Sequence, residues 1–175
     1  RTSRGLRVAW FLLIFCCTGV ICAADSPHIL ILNSYHQGFE WSNAELAGIV
    51  HALQQKHPSL EPCIEHLDAK RLASMPHAAA KRALLATKFA GRRFSLVFAV
   101  DNPALEFAIQ TRKDLFPDVP IVFCGINDYT PAMLAGQNRI TGVAQLLDPA
   151  GTLDAILRLT PETREVYSLH DYTVS

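Results

Sequence analysis

Eight residues in this chain have the types and spacing to hold a small polar molecule. Ser34, Tyr35 and His36 follow one apolar run, Asp101 and Asn102 follow a second, and Gly125 and Asn127 follow a third. Trp41 lies shortly after the first group. A carboxylate such as Asp101 favours an amine or a hydroxyl. Backbone N–H groups at the starts of the helices that follow would suit a carboxylate or phosphate. Trp41 would add an aromatic wall beside these polar groups. Together they suit a zwitterion, such as an amino-acid-like molecule, or a polyol.

Each of these residues also has a structural reading. Asn102 before Pro103 is a helix-start signal, with Asn102 as N-cap and proline at the first helical position. Ser42 and Glu45 have the spacing of a capping box, and Trp41 with Leu46 that of a hydrophobic staple. Asp128 suits the turn before Pro131. Ser34 and Asp101 have the weakest structural excuse and rank highest as ligand contacts. Asp68 and Lys70 read as a local ion pair, worth little if exposed. Lys88, Arg92 and Arg93 read as a solvated helix end that complements the dipole.

Bond-making chemistry finds little support. The sequence carries no nucleophile elbow, no glycine-rich dinucleotide fingerprint and no Walker A motif. Cys124 with His36 would be a nucleophile and base without a third group to orient them. His66 and Asp68 with His28 or His36 match no closed metal site. No metal, cofactor or catalytic residue is expected, and the fragment is not read as an enzyme.

The elements that must position these loops alternate. Ile29–Leu32 is a short apolar strand suited to a sheet covered on both faces. A helix from Ser42 follows, with Leu46, Ile49, Val50 and Leu53 on one face, and ends near His57 before Pro58. The pattern then predicts a strand over 63–67, a helix over 75–90 with Ala80, Ala83, Leu84 and Thr87 inward, and a strand over 94–100. A helix opens at Asn102, with Leu105, Ala108 and Ile109 buried. Strands over 119–123, 140–144 and 165–169 complete the series. A short helix after Thr130 and another after Asp148, with Leu153, Ile156 and Leu157 inward, separate them. Short connections between alternating strands and helices imply a doubly wound α/β fold with a parallel sheet. The expected order is flavodoxin-like, 2-1-3-4-5, with a switch point between the first and third strands where the three polar loops meet. A receiver domain shares that order, but it needs an acidic pair where this chain has Asn33 and Ser34, and it is cytoplasmic.

The 175 residues fit one domain, and half are hydrophobic, enough for a sizeable core. The formal charge is zero, yet Arg1, Arg4 and Arg7 are the only charges before Asp25. The remainder has 13 basic against 16 acidic residues, a net −3, and no basic run. Nucleic-acid binding therefore has no electrostatic support. Three arginines, the apolar run Val8–Cys22 and the small Ala23-Ala24 form a secretory signal pattern over 1–24, or an uncleaved membrane anchor. Export to the periplasm or another extracytoplasmic space follows, with the membrane as a partner if the segment stays. Ile21 before Cys22 makes a poor lipoprotein signal. An opening Arg rather than Met reads as a fragment. Of the five cysteines, Cys63 and Cys124 lie outside the targeting segment. The expected order puts them roughly 14 Å apart at the usual strand spacing. A disulfide spans about 4.4–6.8 Å between Cα atoms, so both thiols should be free. Whether the chain forms a homodimer is left open.

Asn33-Ser34-Tyr35-His36-x-Gly38-x-x-Trp41-Ser42 resembles the opening of a family of periplasmic-binding-protein-like domains. These are the ABC-transporter substrate-binding-like domains, which also serve as extracellular sensors of bacterial histidine kinases and diguanylate cyclases. Leu67-Asp68-x-Lys70-Arg71, Asp101-Asn102-x-Ala104-Leu105, Phe116-Pro117-x-Val119-Pro120 through Asp128, and Thr141-Gly142-Val143 continue the resemblance in order. It implies that 25–164 is the first lobe of a type I binding fold, and that 165–175 begins the crossing to a second lobe of the same chain, with ligand held between the two. It further implies a sensor domain that signals by lobe closure, any enzymatic activity lying beyond Ser175. The alternative is a soluble substrate-binding protein of an ABC importer. An exported flavodoxin-like enzyme is the third expectation.

Overall fold

A computed structural model describes residues 27–72 and 75–169. The expected targeting segment at 1–24 and the last residues of the expected crossing lie outside them. Five strands and four helices alternate: β1 Ile29–Asn33, α1 Glu40–Lys56, β2 Cys63–His66, α2 Met75–Lys88, β3 Leu96–Val100, α3 Asn102–Leu115, β4 Ile121–Ile126, β5 Ile140–Ala144 and α4 Pro149–Leu159. A 3₁₀ turn at Pro131–Leu134 joins β4 to β5. The sheet is wholly parallel and its order is β2-β1-β3-β4-β5. This is the flavodoxin-like order read from the sequence, with the switch point between β1 and β3.

The apolar run of β1 explains its interior position between β2 and β3. All five of its residues are buried, because β2 and β3 flank it and helices cover both faces. Burying each of its aliphatic side chains is worth about 1.5–3 kcal/mol. Leu30 and Leu32 point to the side of α2 and α3, where they join Leu85, Val97, Leu105 and Phe123. Ile29 and Ile31 point to the other side, where α1 brings Leu46 with Ile49, Val50 and Leu53. The face of α1 read from the sequence is therefore the packed one.

Several local expectations are corrected. Gly38, at φ +96°, turns the chain so that α1 starts at Glu40, two residues before Ser42. Its cap is Phe39, which makes no side-chain capping bond. Ser42 points into the core, where its hydroxyl accepts from Asn33 Nδ2 at 3.2 Å, so no Ser42–Glu45 capping box forms. In α2 the inward residues are Leu85 and then Phe89 just beyond it, while Ala80, Ala83, Leu84 and Thr87 are exposed. An alanine-rich helix has little periodicity to fix its face, and of the adjacent leucines Leu85, one turn before Phe89, took the core while Leu84 turned outward. β4 runs on through Cys124, Gly125 and Ile126, with a register irregularity against β5 between Phe123 and Ile126. Residues 165–169 form no strand; Val166, Tyr167 and Leu169 are exposed. The face of α4 expected to be inward is also uncovered, with Leu153, Ile156 and Leu157 between 37% and 41% exposed.

Asp68 pairs with Arg71, not Lys70, through Nε at 2.7 Å and Nη2 at 2.8 Å. Lys88 is not simply solvated, since it forms an ion pair with the buried Glu65 of β2. Cys63 and Cys124 are both free thiols, as the strand order requires.

Candidate functional site

The carboxyl ends of β1, β3 and β4 meet at the switch point, and two carboxyl groups lie there together. Asp101, directly after β3, is 2% exposed. Glu45 projects toward it from the second turn of α1. As ionised groups both only accept, and Glu45 Oε2 and Asp101 Oδ2 are buried with no donor. A proton on Asp101 turns this contact into a hydrogen bond to Glu45. Burial first, then the Glu45 charge and that hydrogen bond, push the Asp101 carboxyl up to about 7, against a smaller opposing effect of Lys70. Burial also raises Glu45, opposed by its bonds to Asp101 and to the Trp41 side chain. This is the usual behaviour of two like charges in one dry site.

Gly125 makes room for the pair. Its φ is +69°, and a Cβ there would lie 2.8 Å from Glu45 Oε1 and 3.0 Å from Asp101 Oδ1. Asp101 itself has φ +68° and ψ 167°, a conformation that L-residues rarely adopt. Such backbone costs of order 1–3 kcal/mol and gathers at functional sites. The Asp101 N–H donates to Cys124 O at 2.9 Å, which fixes the residue against β4. The Cys124 thiol sits beside both carboxyls; burial and then their charges push it up to about 12. It is thus held protonated, and His36, facing Asp68 at 3.9 Å, gives it no base. The nucleophile-and-base pairing considered from sequence does not form.

The other expected contacts divide into supports and walls. Ser34 is fully buried, and its hydroxyl donates to Val100 O at 2.6 Å and accepts from Ala104 N at 2.8 Å. It pins α3 to β1 and β3, and it does not face a ligand as expected. Asn102 lies inside α3, so the N-cap position belongs to Asp101. Its carboxamide instead grips the Asn127 peptide, donating to the carbonyl at 3.0 Å and accepting from the N–H at 2.8 Å. Tyr35 is buried, with its ring 4.7 Å from that of Phe39. Lys70 Nζ lies over both rings, 5.2 Å and 4.9 Å from their centroids. Trp41 is 55% exposed and lies inside α1, so it forms no hydrophobic staple. His66 Nδ1 meets Tyr35 O at 3.0 Å.

The structure therefore brings Asp101, Gly125 and Trp41 together and adds Glu45, Lys70, Phe39 and Cys124, which sequence reasoning had left out of the ligand set. Glu45 was assigned a local capping partner, and Lys70 a local ion-pair partner. Neither spacing reveals a contact across the sheet. A groove lies at the opposite, amino ends of β3 and β4, lined in part by Arg92, Arg93, Asp114, Asp118 and Arg139. It brings no buried carboxyl pair together. Among the described residues no group of three or more His, Cys, Asp or Glu side chains gathers as a metal site. Chemically, the pair can hold a proton or a cation, with a lysine and an exposed indole nearby. No family model matches the chain, and neither does any curated protein or solved structure.

Proposed function

We propose that this chain is the ligand-binding lobe of an extracytoplasmic sensor that closes on a small polar molecule and reports across a membrane. The observation that carries the reading is the pairing of the partly buried Glu45 with the buried Asp101 at the switch point of the sheet. Open α/β sheets bind ligands there. Trp41 supplies an exposed aromatic surface beside the pair, and the Asn102 grip on Asn127 stiffens the loop after β4. The bare apolar flank of α4 suits a domain that packs against further protein, as a first lobe packs against a second. The signal-like N-terminal segment and the Asn33–Ser42 resemblance favour the sensor role over other binding roles. A soluble substrate-binding protein of an importer would use the same site.

The test is the coding sequence beyond Ser175. A second α/β lobe followed by a membrane span and a kinase or cyclase module is the expected result. A second lobe followed by a stop codon would replace the sensor with the importer protein. A stop codon directly after Ser175 would overturn both two-lobe readings.

A further inference from the structure

We infer that this site takes a primary ammonium group, held between the carboxyl groups of Glu45 and Asp101. The inference rests on the binding-lobe reading and names the chemistry of its ligand. The geometry has three parts. Two carboxyl groups converge beside the point where residue 125 has no side chain. One outer oxygen of each is buried and receives no donor. Asp101 is fixed by its backbone bond to Cys124, whereas Glu45 is only partly buried.

An ammonium brings three donors and one positive charge. It can satisfy both unpartnered oxygens where one proton satisfies only the bond between the carboxyls. The exchange balances: a protonated amine enters, one proton leaves Asp101 for solvent, and the site keeps its net charge. The charged and titratable groups facing Asp101 are Glu45 from α1, Lys70 from the β2–α2 connection and Cys124 from β4. Lys70 repels an ammonium but attracts a carboxylate on the same ligand, which selects a zwitterion over a simple diamine. Arg71 takes no part, being tied to Asp68. The raised Asp101 carboxyl agrees with a proton resident on the pair.

The experiment follows the Asp101 carboxyl carbon by NMR across pH in the full chain, in methylammonium chloride and in sodium chloride at equal ionic strength. Methylammonium should lower the Asp101 midpoint by about one pH unit, a tenfold preference for the ionised pair. Glu45→Gln, which keeps the shape and removes one charge, should abolish that difference. Equal midpoints in the two salts would overturn the inference. An equal drop in tetramethylammonium chloride, which has no N–H, would overturn it as well. If amino acids or polyols perturb Trp41 and Asn127 while the Asp101 midpoint stays fixed, the binding reading stands and this inference falls.

Discussion

The carboxyl groups of Glu45 and Asp101 meet beside the space that Gly125 leaves open. A Cβ at position 125 would come within 3.0 Å of an oxygen from each. Gly125→Ala should therefore act twice, by forcing alanine to φ +69° and by driving the carboxyls apart. The expected loss is about 1–3 kcal/mol of unfolding free energy, read from urea denaturation. Gly38→Ala is the control: its φ is +96°, but nothing lies within 4 Å of the added carbon. An equal loss in both variants would mean that crowding of the pair contributes nothing.

Stability should fall as pH rises through the Asp101 titration. In the folded chain its carboxyl is pushed up to about 7 from an ordinary 3.8. A carboxyl raised on folding stabilises the fold while protonated. That contribution is complete below the unfolded value and is lost as pH climbs through the folded one. Asp101→Asn keeps a donor toward Glu45 and removes the titration. Relative to the parent chain it should gain on the order of 3 kcal/mol between about pH 4 and pH 8. A constant difference between the two chains across that range would show that Asp101 titrates normally.

Ser34→Ala should destabilise the fold without touching a ligand. The hydroxyl ties Val100 O to Ala104 N, so its removal leaves a buried N–H near the start of α3 without its partner. The cost is about 1–3 kcal/mol. Hydrogen exchange should show Ala104 losing protection first. If Ser34→Ala instead left stability unchanged and weakened ligand binding, Ser34 would belong with the contacts after all.

The two thiols should differ in reactivity. With its thiol pushed up to about 12, Cys124 holds very little thiolate near neutral pH. Its alkylation by iodoacetamide at about pH 8 should be on the order of a thousandfold slower than that of an ordinary exposed thiol. Removing a neighbouring charge, by Glu45→Gln or Asp101→Asn, should speed it. Mass spectrometry of the modified peptides reads both effects. Rapid alkylation of Cys124 in the parent chain would contradict the burial that holds it protonated.

The sheet was legible in the sequence because its signals are strong and local. Ile29–Leu32, Leu96–Val100 and Ile121–Phe123 are apolar runs set off by polar, glycine or proline residues, and parallel order follows from their alternation with helices. Asp101 was legible for the same reason, as a charged residue at the end of such a run. Glu45 was not, because Ser42 stands three residues before it and offers a complete local explanation. What sent Ser42 inward was Asn33, nine residues earlier and on another element. The face of α2 was lost to its composition, since alanines on every side and the adjacent pair Leu84-Leu85 leave two faces equally apolar, and Phe89 beside Leu85 decides between them. Residues 165–169 have strand-like composition, but a strand needs a neighbour to accept its backbone bonds, and composition does not supply one.

The interior position of β1 has a consequence for how the chain acquires its fold. Ile29–Asn33 leaves the ribosome before the other four described strands, yet it is walled in by β2 on one side and β3 on the other. The partner of Ile29 is Leu96, which is synthesised only after α1, β2 and α2 are complete. Until then one edge of this fully buried strand stands open, and closing the long loop to β3 is entropically costly before it is rewarded. The rate-limiting event of folding should therefore be the docking of β3 onto β1. Nascent chains that stop short of Val100 would be the aggregation-prone species, and chaperones should hold these the longest.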